Sequence, residues 1–161
     1  MRIFISYSHQ DWSICAYFLK RVRSEGKRMT TFLHQAMKDV GEITFWVDRE
    51  ALKGGVAWRE EICEAISACD IMLLFVRREV TTDVAIEMGM ALGLQKIIVS
   101  VVWEGIYNRE GQSMFGSSFR DLEAQLAPYQ LRDIEAMRWR DTEALPILEL
   151  LVEHVRAFYG Y

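Results

Sequence analysis

Short apolar, β-branched runs alternate along this chain with stretches of helical period, which predicts an α/β domain on a parallel sheet. Two observations carry that reading. Ile71–Val76 and Ile97–Val102 are near-continuous apolar runs, as suits central strands covered on both faces. Each consecutive pair of strands is also separated by enough chain for a helix, and right-handed crossovers then leave few topologies. With five strands, the flavodoxin-like order 2-1-3-4-5 is the leading choice. The ligand crevice of such a sheet lies beyond the carboxyl ends of strands 1 and 3. The 161 residues are about one domain's worth and can bury one core. The expected unit is therefore 1–161, either alone or excised from, or partnered with, a larger sensor protein.

Arg2–Tyr7 reads as a buried first strand. The polar loop Ser8-His9-Gln10-Asp11 follows, with Ser8 or Asp11 as the cap of the next helix. Cys15, Phe18, Leu19 and Val22 recur at i, i+3, i+4, i+7. After Gly26 the period resumes with Met29, Phe32, Leu33, Ala36 and Met37. This predicts two helices, or one long kinked one, ending at Gly41 as a C-cap. Ile43–Val47 is the second strand. A loop over 49–57 holds Gly54-Gly55, and Trp58 opens a helix with Ile62, Ala65 and Ile66 inward. The third strand is 71–76. The helix after Thr81-Thr82-Asp83 carries Val84, Glu87, Met88 and Leu92, with Gly93 near its end. Strand four spans 96–102. The stretch 104–117 is irregular, and 118–126 fits a short helix. Residues 136–140 fit an edge strand, and 141–158 a last helix with Leu148, Leu151, Val152, Val155 and Phe158 inward.

Composition narrows the function classes. The net charge is −4, so the basic stripe expected of a nucleic-acid partner is lacking; Lys20, Arg21, Arg23, Lys27 and Arg28 read as a solvated helix face. Cys15, Cys63 and Cys69 have no C-x-x-C spacing and sit in or beside apolar patterns, which predicts buried free thiols in a reducing, cytoplasmic compartment. No run of eighteen apolar residues occurs, so no membrane span is expected, and the immediate first strand leaves no room for a signal peptide. His9, His34 and His154 lack metal-ligand spacing, and no metal is expected. Neither a G-x-x-x-x-G-K-[ST] loop, nor G-x-G-x-x-G after strand 1, nor a G-x-S-x-G elbow is present. A phospho-receiver would need an aspartate at the end of strand 3, where Phe75-Val76-Arg77-Arg78 stands.

Three candidates remain for chemistry. Glu87 lies among Val84, Ile86, Met88 and Met90, in a small-residue helix that follows strand 3. A carboxylate there is costly if buried, so it either faces water or has a task in the crevice. The 49–57 loop with Trp58 behind it offers mobility and a flat apolar face; the plain alternative is a tryptophan that packs its helix onto the core. The end of strand 1, Ser6-Tyr7-Ser8, brings hydroxyls to the crevice mouth.

In combination these residues resemble the TIR (Toll/interleukin-1 receptor) family, over roughly 1–105. The matching pieces are Phe4-Ile5-Ser6-Tyr7-Ser8-His9-Gln10-Asp11, Phe45-Trp46-Val47-Asp48, Leu52-Lys53-Gly54-Gly55, Trp58-Arg59-Glu60-Glu61-Ile62, Ala65-Ile66, Cys69-Asp70, and Glu87 with Ala91 before an apolar strand. The resemblance, most of all to bacterial NAD⁺-cleaving members, implies cleavage of the nicotinamide–ribose bond of NAD⁺ to ADP-ribose or a cyclic ADP-ribose-type signal. It implies Glu87 as the catalytic residue and Tyr7, Ser8 and Trp58 as lining the pocket; Asp48 and Asp83 are expected to bind substrate beside them. NAD⁺ would be the substrate, with no resident cofactor. Homotypic assembly through the 49–57 loop, a sensor or effector partner, and a role in immune or antiphage signalling are implied in the same way.

Two features depart from the family pattern. Many active members carry tryptophan four residues before the glutamate, where Asp83 stands here. Asp83, Glu87, Gly89 and Ala91 instead resemble the Asp-x-x-x-Glu, Gly-x-Ala arrangement of nucleoside deoxyribosyltransferases, and mutual repulsion between two such carboxylates would raise one pKa. The 11–41 segment is also longer than the usual first helix. Three readings follow: an NAD⁺ nucleosidase activated by self-assembly, a non-catalytic TIR interaction module, and a deoxyribosyltransferase-like enzyme.

Overall fold

The computed structural model of the chain describes residues 1–25, 38–48, 58–76, 80–103, 137–139 and 145–160. Its described elements run β1 (Arg2–Tyr7), a 3₁₀ turn (His9–Asp11), α1 (Trp12–Glu25), β2 (Thr44–Val47), α2 (Trp58–Ala68), β3 (Ile71–Val76), α3 (Thr82–Gly93), β4 (Ile97–Trp103), β5 (Met137–Trp139) and α4 (Leu145–Tyr159). The sheet is five-stranded, parallel, and ordered β2-β1-β3-β4-β5, as the hydrophobic runs predict.

Strand alternation divides the core into two layers. Ile3, Ile5, Tyr7, Leu73, Phe75, Val99 and Val101 face α1 and α4, where they meet Phe18, Leu148 and Leu151. Phe4, Met72, Leu74, Val76 and Ile98 face α2 and α3, against Ile62, Ile66 and Met88. The central strand β3 is buried along its whole length, so its apolar run is apolar because both faces are covered. Phe4 stacks on Trp46 across the β1–β2 pair, with ring centroids 4.9 Å apart and planes 13° from parallel.

The helix ends are closed by local chemistry. Gly41 has φ +75°, the left-handed geometry that its role as a C-cap requires. At the end of α3 the left-handed position falls on Gln95, φ 54°, and not on Gly93. Gln95 N–H donates to Leu92 O and Lys96 N–H to Ala91 O, the paired bonds of a Schellman motif. Lys96 then extends its ammonium to the carbonyls of Ser67 and Cys69 at 2.7 and 2.8 Å, and so caps the end of α2.

Three inward assignments are corrected. Leu92 is exposed, because the buried stripe of α3 is Val84, Glu87, Met88 and Ala91, and Ala91 occupies the inward position one residue earlier. Phe158 is exposed because α4 has run past the core by its last turn. Cys63 is exposed while Cys15 and Cys69 are buried; it sits one residue round α2 from the inward Ile62. The loop 49–57, the segment 26–37, the predicted helix 118–126 and His34 lie outside the described residues. Among the described residues no helix is long and apolar enough to cross a membrane.

Leu73, fully buried in the middle of the sheet, is the residue whose truncation tests this core. Leu73→Ala is expected to cost about 2–5 kcal/mol, from lost transfer energy plus the cavity left behind. Guanidinium denaturation reads this as a lower midpoint at unchanged m. A change under 1 kcal/mol would mean that the layer repacks freely.

Candidate active site

Six polar side chains are buried among the described residues: Ser6, Ser8, Asp11, Asp48, Glu87 and Ser100. All but Ser100 belong to the last residues of β1, the turn after it, the end of β2, or the second turn of α3. The parallel sheet explains the gathering. The carboxyl ends of adjacent strands lie on one edge, and the helix after β3 starts from that same edge.

Glu87 lies on the buried stripe of α3, only 9% exposed. The hydroxyl of Ser6 donates to its Oε2 at 2.6 Å, a contact between residues 81 apart in the chain. Burial pushes the Glu87 carboxyl from 4.5 up to about 7. The Ser6 hydrogen bond opposes that rise, while the negative charges of Asp48 and then Asp83 add to it. Repulsion from Asp83 is therefore a minor cause; desolvation is the main one. Asp83 itself is exposed in the first turn of α3, where the helix dipole favours an anion. The two acids sit on one helix in different media, which is unlike a buried carboxylate pair.

Tyr7 is the neighbour of Ser6 and points to the opposite face of the sheet, into the α1 layer. Its ring lies 5.6 Å from that of Trp12. Its hydroxyl donates to Asp48 Oδ1 at 2.5 Å, and both partners are buried. Tyr7 thus braces Asp48 at the end of β2, and its ring is enclosed. Ser8 is buried and holds the 3₁₀ turn through its backbone carbonyl, which accepts from Asp11 N–H at 2.7 Å. Trp58 is the first residue of α2, and its side chain lies outside the described set. The structure therefore brings Glu87, Asp48, Tyr7 and Ser8 to one edge, with Asp83 at its surface. Ser6 is the addition. As one of three hydroxyls at the end of β1, its alternation allowed either face, and only the register with α3 selects it.

The family model for the TIR domain matches residues 3–138. The chain belongs to the TIR domain family. No curated protein matches this TIR domain. Among solved structures it is similar to the TIR domain of a Toll-related receptor from Hydra magnipapillata, at 16% identity and TM-score 0.51, covering 96% of this chain and 97% of that one. A flavodoxin-like domain from Synechococcus gives 12% identity and TM-score 0.49, covering 98% of each chain. A 2-desoxiribosyltransferase from Leishmania mexicana gives 16% and 0.45, covering 83% of this chain and 99% of that one.

The burial of Glu87 carries a sign in stability. Its folded pKa, about 7, lies above its ordinary 4.5, so below 4.5 both folded and unfolded chains hold the proton. Between the two values the unfolded chain alone gives it up, and stability falls as pH rises. Above about 7 the folded TIR domain bears the whole cost of a buried anion, about 3 kcal/mol. Glu87→Gln is expected to be more stable than the wild type at pH 8 by up to about that amount, with the gap closing toward pH 4. Denaturation midpoints of both proteins at the two pH values check this, and a gap independent of pH would contradict it.

Proposed function

We propose that this TIR domain cleaves the nicotinamide–ribose bond of NAD⁺, with Glu87 stabilising the ribosyl cation that forms. The observation that carries the reading is a glutamate held out of solvent at the carboxyl edge of the sheet, with its ionisation near neutrality. The C1′–N bond breaks with its electron pair going to the pyridinium nitrogen, so nicotinamide leaves neutral and no general acid is needed. Water captures the cation and loses a proton to give ADP-ribose; attack by the adenine of the same molecule gives a cyclic product. An anion fixed beside the ribose stabilises the transition state by on the order of 3 kcal/mol, following the oxocarbenium logic of glycoside hydrolysis.

A carboxyl that titrates near 7 suits a cationic substrate. The pyridinium of bound NAD⁺ favours the ionised form of Glu87 and pulls its pKa down. The charge is then fully present when the substrate is, and partly relieved when it is not. Asp48, Tyr7 and Ser8 belong to the same proposed site and Asp83 to its rim, and Trp58 is proposed as a further substrate-binding residue. Self-assembly through the 49–57 loop as the activating event, a cytoplasmic setting, and service in immune or antiphage signalling complete the proposal.

A second reading, a TIR module that works by association alone, draws on a different observation. The outer surface of α3 exposes Ile86, Leu92 and Leu94. Between Asp83 and Lys96 the only charged residue is Glu87, which is buried. Apolar surface of this kind suits a protein contact.

NAD⁺ consumption with product identification, at high protein concentration, separates the two. Wild type is expected to consume NAD⁺ and Glu87→Ala to lose at least a hundredfold in kcat, the scale of removing a preorganised transition-state contact. No consumption by a clustered wild type would leave the interaction module standing. A second expectation follows from the titration: kcat/KM rises with pH through about 7, the free-enzyme value, while the limb in kcat lies lower because bound NAD⁺ favours the anion. Coincident limbs would remove Glu87 as the titrating group.

A further inference from the structure

Ser6 is 1% exposed and lies on the face of β1 covered by α2 and α3, in the row that pairs it with Leu74 of β3. Among the described residues only Glu87 is bonded to its hydroxyl, which donates to Oε2 at 2.6 Å. A serine hydroxyl has a single proton to give, and here it is spent on one oxygen of one carboxylate. Leu74, next to it on β3, is apolar and fully buried, and the row continues to Ser100 on β4, whose buried hydroxyl is one strand further away and makes no hydrogen bond among the described residues.

We propose that Ser6 is the positioning residue of the Glu87 site: its hydroxyl holds Oε2, fixes the plane of the carboxylate against β1, and leaves Oε1 for the ribose of the substrate. This rests on the NAD⁺ reading above. A carboxyl on a helix turns about its terminal torsion over a broad range unless a partner holds it. The hydrogen bond from the strand removes that freedom, and it does so at the residue where β1 and α3 are packed. Preorganisation of this kind costs nothing at the moment of reaction, which is what makes a fixed charge more effective than a mobile one. The charged groups acting on Glu87 are Asp48 at the end of β2 and Asp83 on its own helix, both anions. Ser6 is the one resolved influence that favours the ionised form, so it sets orientation and ionisation together.

The test compares wild type with Ser6→Ala, which removes the donor, and Ser6→Thr, which keeps it on a residue suited to a strand. Ser6→Ala is expected to lower kcat roughly tenfold with KM changed less than about threefold, and to move the acid limb of kcat/KM upward by about one pH unit, since a charge-assisted hydrogen bond is lost. Ser6→Thr is expected to restore both. A ¹³C NMR titration of the Glu87 carboxyl in the three proteins reads the same shift without turnover. If Ser6→Ala keeps the wild-type limb, turnover and carboxyl titration, Ser6 has no such role and the NAD⁺ reading is untouched. If it loses activity and Ser6→Thr does not recover the limb, the effect is general packing, and the proposal is overturned. A wild type that consumes no NAD⁺ removes the functional reading by itself. Ser6 then stands if its loss raises the carboxyl midpoint, and falls if it does not.

Discussion

The burial of one carboxylate is the constraint around which the rest of this site is arranged. Glu87 sits on the inward stripe of α3 with Val84, Met88 and Ala91, where an aliphatic side chain would be the stabilising choice. The cost of keeping an anion there is comparable to a large share of a domain's net stability. It is tolerated because the surrounding layers are apolar and continuous: β3 is buried from end to end, and both faces of the sheet are covered by helices. A single hydroxyl offsets part of the cost, and in the proposed function the remainder serves reactivity. The acid neither relaxes into solvent nor becomes an inert neutral group.

Under the proposed function, the arrangement favours chemistry by charge over chemistry by proton delivery. The two nearest acids differ in surroundings: Asp48 is tied to a phenol on the far side of the sheet, and Asp83 is open to water. Neither is placed as a proton-sharing partner of Glu87. A lone, partly neutralised carboxylate matches a substrate that brings its own positive charge and a leaving group that departs neutral.

Much of the fold was legible because its signals are redundant. The runs at 2–7, 71–76 and 97–102 mark strands by composition and by length, and the topology rules then order them. Helix interiors were legible where several inward residues agree, as in Phe18 and Leu19 or Leu151 and Val152. Single residues at the ends of a stripe were not. Leu92 falls on the solvent side of a drifting stripe, Phe158 lies past the core, and Cys63 sits one residue round α2 from the inward Ile62. The end of α3 at Gly93 was legible, but the left-handed residue that closes it, Gln95, was not. Glu87 was identified as the residue to watch, but its burial was not readable, since apolar neighbours on both sides of a helix do not say which side faces in. The part played by Ser6 is a long-range contact, invisible to any local pattern.

Ser6 and Tyr7 are consecutive, yet each serves a different carboxylate from a different side of the sheet. Strand β1 therefore carries information in its phase as well as its sequence. Deleting or inserting one residue between Arg2 and Ser6 would exchange the two faces, placing the phenol under α3 and the small hydroxyl in the α1 layer. Both carboxylates would lose their partners at once, although every side chain would still be present. A change of length in a connection leaves both pairs intact, whereas the same change inside this strand breaks both, so the spacing of its six residues matters as much as their identities.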